Sequence, residues 1–202
     1  MKIYRDGEVI NWTIDRLQSE FSFKVRHLMI SHVKGKFKGF NASVSTTGQD
    51  FSTADINLNI ESETIDTGDA KRDSHLRSAD FLYTDKHKQI TFTSTSISRT
   101  GTSDKMELRG NLTIVGITKN IKLDMQMGPV AIDSLGNETA CFMITGKITR
   151  EDWRLRWTTA MEASGFLIGD EVIISCKLEF NSMGQHDAKP EPEPVVMRIA
   201  TF

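Results

Sequence analysis

The stretch Ile65-Asp-Thr-Gly-Asp-Ala-Lys-Arg-Asp-Ser-His-Leu-Arg-Ser-Ala-Asp-Phe-Leu-Tyr83 decides the fold, because it is the one convincing helical interruption in a series of alternating strands. Asp69 is suited to cap a helix, and apolar residues follow at roughly helical spacing at Ala70, Leu76, Ala79 and Phe81. We therefore predict a short capping helix near residues 69–80, lying across one end of a sheet. If that sheet closes into a barrel, Leu76 and Phe81 point inward.

Most of the remaining chain alternates apolar and polar residues with the period of two that is typical of strands with one buried face. The predicted strands are residues 12–15, 21–27, 33–40, 54–60, 89–97, 106–114, 121–127, 140–149 and 172–180. Such evenly spaced strands form either a sandwich or a barrel. We predict an all-β fold of antiparallel strands with one short capping helix, and the strand pattern alone does not choose between a sandwich and a barrel.

If the strands close into a barrel, its inward-facing side chains are mostly aromatic and aliphatic. An eight-stranded barrel leaves an interior just wide enough for side chains or for one slender ligand. The pattern alone leaves open whether these residues fill a solid core or line a tunnel. The candidate ligand-binding residues are Phe21, Phe23, Val25, Phe37, Ile56, Leu58, Leu76, Phe81, Phe92, Leu112, Met125, Phe142, Trp153, Trp157 and Phe166.

Two segments depart from the strand pattern. Residues 150–169 are predicted to form a long loop rich in apolar side chains, which is either functional or a plain cover for the core. A polar, Pro-rich spacer follows residue 181, and after it Val195–Ala200 is predicted to add as a strand to an exposed sheet edge. We therefore divide the chain into a barrel or sandwich, residues 1–181, and a C-terminal arm, residues 182–202.

Composition narrows the classes of partner. The 202-residue chain has a net charge of −2, and Lys and Arg are interspersed with Asp and Glu along the sequence, which disfavours nucleic acid. No apolar run is long enough for a transmembrane segment, and the first residues lack the core of a signal peptide. We expect a cytoplasmic protein as given, or a periplasmic one if a leader was removed. Cys141 and Cys176 are expected to be free thiols.

Catalytic and metal-binding patterns are weak. Asp73 and His75 are two apart in a predicted helix, so their side chains diverge, and His27 and His32 form a poor zinc pattern. We predict no enzyme activity and no cofactor or metal. A barrel-lumen isomerase or cyclase acting on a lipid, or a structural barrel that acts through its C-terminal arm, is the alternative.

If the strands close into a barrel that holds a ligand with a polar head group, that group needs hydrogen-bond donors at the mouth. The candidates are Arg72, His75, Arg77 and Arg150, since guanidinium groups bind phosphate oxygens bidentately. Equally, Arg72, Asp73 and Arg77 form a solvated, mutually paired helix face, which is the commoner fate of such charges. Both interpretations stay open at this point.

A set of short motifs in a fixed order resembles the YceI-like, polyisoprenoid-binding family over about residues 9–180. The motifs are Trp12-Thr-Ile-Asp, Phe21-Ser-Phe-Lys-Val-Arg-His27, Val33-Lys-Gly-Lys-Phe37, Ile65-Asp-Thr-Gly, Arg72-Asp-Ser-His-Leu-Arg-Ser-Ala-Asp-Phe81, Ile90-Thr-Phe, Gly110-Asn-Leu-Thr-Ile-Val-Gly-Ile-Thr-Lys119, Ile148-Thr-Arg150 and Gly169-Asp-Glu-Val. The chain departs from that family at Gln18-Ser19, where a His-Ser pair is usual, and at Asp152-Trp-Arg-Leu155, which replaces an Asp-Phe-Gly-Leu-like run.

The resemblance implies an all-β fold, a lipocalin-like antiparallel eight-stranded β-barrel with one short capping helix. It also implies that this barrel holds an isoprenoid or other long-chain lipid in its lumen, such as a polyprenyl phosphate or an isoprenoid quinone. It also implies non-catalytic binding or carrying of that lipid, with a homodimer as the common assembly and the periplasm as the location of many relatives.

Overall fold

The computed structural model describes residues 7–27, 31–101, 104–132, 137–155 and 168–182. Within these ranges the chain forms twelve strands, one α-helix and two 3-10 helices. The helix α1 spans Ala70–Arg77, and the 3-10 helices span Ser62–Thr64 and Arg150–Trp153. The strands are β1 (Val9–Ile14), β2 (Glu20–His27), β3 (Ser31–Phe37), β4 (Phe40–Thr47), β5 (Asp50–Glu61), β6 (Ile65–Asp66), β7 (Gln89–Arg99), β8 (Lys105–Ile114), β9 (Ile117–Met127), β10 (Ala131–Ile132), β11 (Glu138–Thr149) and β12 (Ile168–Ser182).

Eight of these strands close into a ring, in the order β1, β4, β5, β7, β8, β9, β11 and β12. Pairing of β12 with β1, in the register Trp12↔Ser182 and Ile14↔Phe180, closes the ring. Every pairing in the sheet is antiparallel. The predicted eight-stranded antiparallel barrel with one short helix is therefore confirmed.

The barrel continues beyond the ring on one side. The 15-residue strand β12 uses its last residues to pair with β1 and its earlier residues to pair with β2, which in turn pairs with β3. Strand β3 then pairs with the short strand β6. We call the ring the closed half. The part walled by β2, β3, β6 and the adjoining ends of β7, β8, β11 and β12 is the extended half, and α1 follows β6 there.

The closed half is filled by a chain of aromatic contacts. Ring centroids lie 5.0 Å apart between Trp12 and Phe51, 5.0 Å apart between Phe51 and Phe142, and 5.9 Å apart between Phe142 and Phe180. The indole Nε1 of buried Trp12 donates to Thr46 Oγ1 at 3.0 Å, so its polar atom is satisfied. This half is a packed core.

Three of the twelve strands were missing from the sequence prediction, namely the two-residue strands β6 and β10 and the eight-residue strand β4. The predicted strand 33–40 ends at Phe37 as β3, and residues 40–47 form a separate strand, β4. Its buried positions are Phe40, Ala42, Val44 and Thr46. Small and hydroxyl-bearing residues at two of these positions hide the alternation from a reading based on large apolar side chains.

Several other expectations concern the described residues only in part. Ser182, the first residue of the predicted C-terminal arm, is the last residue of β12, and the rest of the arm and the predicted lumen residues Trp157 and Phe166 lie outside the described residues. Cys141 and Cys176 are both free thiols, as expected. None of the helices in the described ranges has the length and apolar character needed to cross a bilayer.

Candidate functional site

An apolar cavity of about 180 Å³ lies inside the extended half, beneath α1. Seen from the closed half, it begins at Phe21 and Cys176 and runs toward Val25 and Val172. The lining residues that the sequence predicted are Phe21, Phe23, Val25, Phe37, Leu76, Phe81 and Leu112, with Arg72 and Arg150 as charged members. The void beneath the capping helix is therefore present.

Hydrogen bonds fasten the first turn of α1 to the segment before it. The Asp69 carboxylate caps the helix by accepting from the backbone N–H groups of Lys71 and Arg72 at 3.0 Å each. Buried Asp73 accepts from the backbone N–H of Thr67 at 2.9 Å and also from its hydroxyl. Arg72 returns two bonds, from Nε to Thr67 Oγ1 at 2.7 Å and from Nη2 to Thr67 O at 2.9 Å. Thr67 is thus the point to which the helix start is fixed.

The last turn of α1 is held by Arg77. Its Nε donates to Glu63 O and its Nη2 to Ile65 O, both at 2.6 Å. These bonds orient Leu76 into the cavity as part of its roof. The idea of a mutually paired helix face is therefore wrong, because Arg72, Asp73 and Arg77 each bond to the chain that precedes the helix.

The two arginines at the cavity, Arg72 and Arg150, differ in how many of their guanidinium nitrogens already donate hydrogen bonds within the protein. Arg150 is 9% exposed and uses all three nitrogens, with Nη2 on Asp170 Oδ1 at 2.6 Å, Nη1 on Leu155 O at 2.8 Å and Nε on Gly169 O at 3.4 Å. Among the described residues, nothing accepts a hydrogen bond from Nη1 of Arg72. Of the four predicted head-group donors, His75 and Arg77 lie outside the cavity lining.

The thiols near the barrel wall are protonated at neutral pH. Cys176 lines the cavity, and burial raises the pKa of its thiol to about 12. Burial, together with the neighbouring Glu179 carboxylate, also raises the pKa of Cys141. Neither cysteine is therefore a thiolate nucleophile. Within the ranges that the structure describes, no three His, Cys, Asp or Glu residues cluster as metal ligands would.

Other predicted lumen residues face the interior at a different level. Ile56, Met125 and Phe142 line a separate cavity of about 20 Å³ in the closed half. Leu58, Phe92 and Trp153 pack in the core and line neither cavity. Trp153 is 1% exposed and donates from Nε1 to Leu112 O at 3.3 Å, so it backs the cavity wall. Periodicity identifies the inward face of a strand, but it does not give the height of a residue along the barrel.

Sequence reasoning also missed part of the wall. The additional apolar lining residues are Val33, Ile60, Ile65, Leu82, Ile90, Ile114, Ile148, Leu155, Val172, Ile174 and Cys176. Most of them lie in strands whose apolar and polar residues clearly alternate, and this alternation could have identified them as inward-facing. Leu82 follows the helix, and only the packing of the helix against the sheet shows that it faces the cavity.

Comparison with known proteins agrees with this architecture. The model of the YceI-like domain matches residues 12–180. A UPF0312 protein of Staphylococcus aureus strain MSSA476 is 34% identical over 172 residues, which cover 85% of this chain and 97% of that protein.

Two solved structures are also similar. The YCEI protein of Campylobacter jejuni is 30% identical, with a TM-score of 0.68 over 79% of this chain and 90% of that one. A polyisoprenoid binding domain from Saccharophagus degradans shares the fold at 15% identity, with a TM-score of 0.63 over 85% of this chain and 98% of that one. From the family match and the Staphylococcus relative, we conclude that the chain belongs to the YceI-like family.

Proposed function

We propose that the chain binds the apolar part of an isoprenoid, or of a similarly slender lipid, in the cavity beneath α1, and that it stores or carries this ligand without covalent chemistry. The observation that carries the proposal is the almost wholly apolar wall of that cavity. A domain from Saccharophagus degradans that shares the fold is described as a polyisoprenoid binding domain, which agrees with this function.

The size of the cavity limits what it holds. Its volume of about 180 Å³ is close to the 150 Å³ of an engineered apolar cavity that binds benzene. By this comparison it accommodates about seven carbon atoms, or roughly one and a half isoprene units. Burial of that many groups at about 0.8 kcal/mol each gives roughly 6 kcal/mol before ordering costs are subtracted. The bound part is therefore the apolar end of a longer molecule, or a short isoprenoid.

Arg72 is the best placed residue for a polar head group. It lines the cavity, its Nε and Nη2 are held by Thr67, and its Nη1 keeps its donors. A guanidinium fixed in this way is pre-organised for phosphate oxygens. Arg150, in contrast, is committed to Asp170 and to the Leu155 carbonyl. We propose a polyprenyl phosphate as the preferred ligand and an isoprenoid quinone as the second choice.

The proposal of a non-catalytic role rests on the chemistry of the wall. The one thiol among the described lining residues is protonated, and those residues include no carboxylate or imidazole that could act as a general acid or base. The bound lipid is expected to leave the protein unchanged.

Two experiments test the proposal. Native mass spectrometry of the purified protein, followed by organic extraction, is expected to show a retained lipid that is recovered intact. Loss of the adduct in every preparation, together with failure to take up farnesol from solution, would refute the lipid-binding role.

The head-group assignment is tested with farnesol and farnesyl phosphate as matched probes. Arg72→Met is expected to weaken farnesyl phosphate binding by roughly 1.5–3 kcal/mol, the value of a hydrogen bond to a charged group, and to leave farnesol binding nearly unchanged. Thr67→Val is the control, because it removes the acceptor for Arg72 Nε but keeps the charge. Equal losses for both probes would mean that Arg72 acts only through the fold.

The homodimer implied by the family resemblance stays a prediction. Sedimentation of the purified chain over a range of concentrations checks it, and a mass that stays monomeric throughout would contradict it.

A further inference from the structure

The outer face of the β2–β3 hairpin is strongly basic. On β2, Lys24 and Arg26 point away from the cavity, and on β3 so do Lys34 and Lys36, and all four are exposed. The antiparallel register places Lys24 directly opposite Lys34 and Arg26 opposite His32. Lys24 and Lys34 thus form a directly opposed pair of cations, and Arg26 and Lys36 extend the basic surface along the two strands. We call these four residues the basic face.

Nearby acidic groups leave this charge largely uncompensated. Asp66 lies opposite Lys36 in the sheet and offsets part of its charge, but it forms its ion pair with Lys38 at 2.6 Å, and Glu171 forms one with Lys147 at 3.0 Å. No ion pair within the described ranges involves a residue of the basic face. The chain as a whole has a net charge of −2. Positive and negative charges are interspersed along the sequence, but in the folded chain the pairing of β2 with β3 brings these cations together on one surface.

The opposite side of the same two strands forms part of the cavity wall. Phe23 and Val25 on β2 and Val33 on β3 line the cavity, and they alternate with the residues of the basic face. One hairpin therefore presents an apolar side to a ligand site and a cationic side to the exterior.

We propose that the basic face docks the protein on the anionic surface of a lipid bilayer. Clustered basic residues are attracted to anionic lipid surfaces by about 1 kcal/mol each, which is about fivefold in affinity per residue. Docking through this hairpin holds the extended half, with its cavity, next to the phase in which an apolar ligand resides. The inference goes beyond ligand binding and does not depend on which lipid occupies the cavity.

The chemistry of the face favours a bilayer over a nucleic acid. Three of its four cations are lysines, which act as flexible point charges and suit a diffuse anionic surface, whereas arginine suits bidentate contacts to individual phosphates. No Phe, Tyr or Trp lies among the outward residues of the two strands, so the face lacks a platform for base stacking.

Vesicle co-sedimentation tests the proposal with the full chain. The wild-type protein is expected to bind vesicles that mix phosphatidylcholine with phosphatidylglycerol and not to bind vesicles of pure phosphatidylcholine. Added salt is expected to release it from the anionic vesicles. The variant Lys24→Glu/Lys34→Glu is expected to lose at least about 25-fold in affinity, since two cations that each contribute about fivefold are removed. The variant Lys88→Glu/Lys105→Glu is the control, because it makes the same change in net charge at exposed positions elsewhere.

Several results would overturn the proposal. They are absence of wild-type binding to anionic vesicles, equal binding by the two double variants, or tighter binding of the wild type to a polynucleotide or an acidic protein than to the vesicles. Uptake of farnesol from solution is measured in parallel. It is expected to be unchanged in Lys24→Glu/Lys34→Glu, so this arm reports on the cavity and on folding separately from docking.

Discussion

The substitution Gly35→Ala is expected to shorten the ligand that the cavity accepts. Gly35 on β3 lies directly opposite Phe23 on β2, and the ring of Phe23 covers it. A Cβ atom at position 35 would lie 2.4 Å from Phe23 Cζ and 2.9 Å from Thr67 Cγ2. The absence of a side chain at position 35 thus lets the Phe23 ring lie flat against the wall.

The structure sets the size of the effect. The Phe23 ring must retreat by at least about 1 Å to reach an ordinary contact of 3.4 Å, and the cavity is the space beside it. A movement of that size removes room for about one methylene group, which corresponds to about 0.8 kcal/mol or roughly fourfold in affinity. Overpacking is also expected to lower the free energy of unfolding by about 1–3 kcal/mol.

The assay is a titration with prenyl alcohols of increasing length, with urea unfolding measured on the same preparations. Gly146→Ala is the matched control, because a Cβ there would lie 2.3 Å from Leu123 Cδ2 and neither residue lines the cavity. Both variants are expected to lose stability, but only Gly35→Ala is expected to disfavour the longer alcohols. An unchanged length profile in folded Gly35→Ala protein would show that the Phe23 ring does not bound the ligand.

Three further predictions concern stability. Asp73→Ala is expected to lower the free energy of unfolding by roughly 2–4 kcal/mol in urea titrations, because it leaves the backbone N–H and the hydroxyl of Thr67 without their acceptor. Asp73→Asn is expected to lose less stability. For Cys176, the folded pKa of about 12 lies above the ordinary thiol value of 9.0, so the native state holds more protons and stability falls as the pH rises past 9.0. At about pH 10.5 this loss is roughly 2 kcal/mol, and Cys176→Ala is expected to lack it in urea titrations over the alkaline range; identical pH profiles would contradict the burial of the thiol. Hydrogen bonds from Lys122 to Glu107 and from Lys38 to Asp66 lower the pKa of both carboxyl groups from 4.5 and 3.8, so the unfolded chain takes up more protons as the pH falls through these values. The stability that these two carboxylates contribute above those pH values is therefore expected to be lost in acid. Lys122→Met is expected to make the free energy of unfolding depend less on pH in this range.

The sequence was a good guide to local structure. The predicted helix near 69–80 appears as Ala70–Arg77 because Asp69 is a strong N-cap, and Leu76 and Phe81 line the cavity as expected. Strict alternation identified most strands, since a period of two is imposed by the pleat itself. Strand β4 escaped because Ala42 and Thr46 occupy buried positions that large apolar residues fill elsewhere.

Features that depend on pairing between strands could not be predicted. The division of the interior into two cavities follows from the barrel level of each residue, so Phe142 and Phe21 face the same lumen but different spaces. Arg150 looked like a free donor, but the start of β12 brings Asp170 to it. The basic face likewise exists only because the register aligns Lys24 with Lys34.

The dual pairing of β12 has a consequence for how the molecule comes apart. Its earlier residues complete the extended half and its last residues seal the ring, so both halves depend on one backbone segment. Neither can melt without withdrawing a ladder partner from the other. We therefore expect heat or denaturant to unfold the whole barrel in a single cooperative transition. The ligand-free extended half and the aromatic core of the closed half are expected to unfold at the same midpoint.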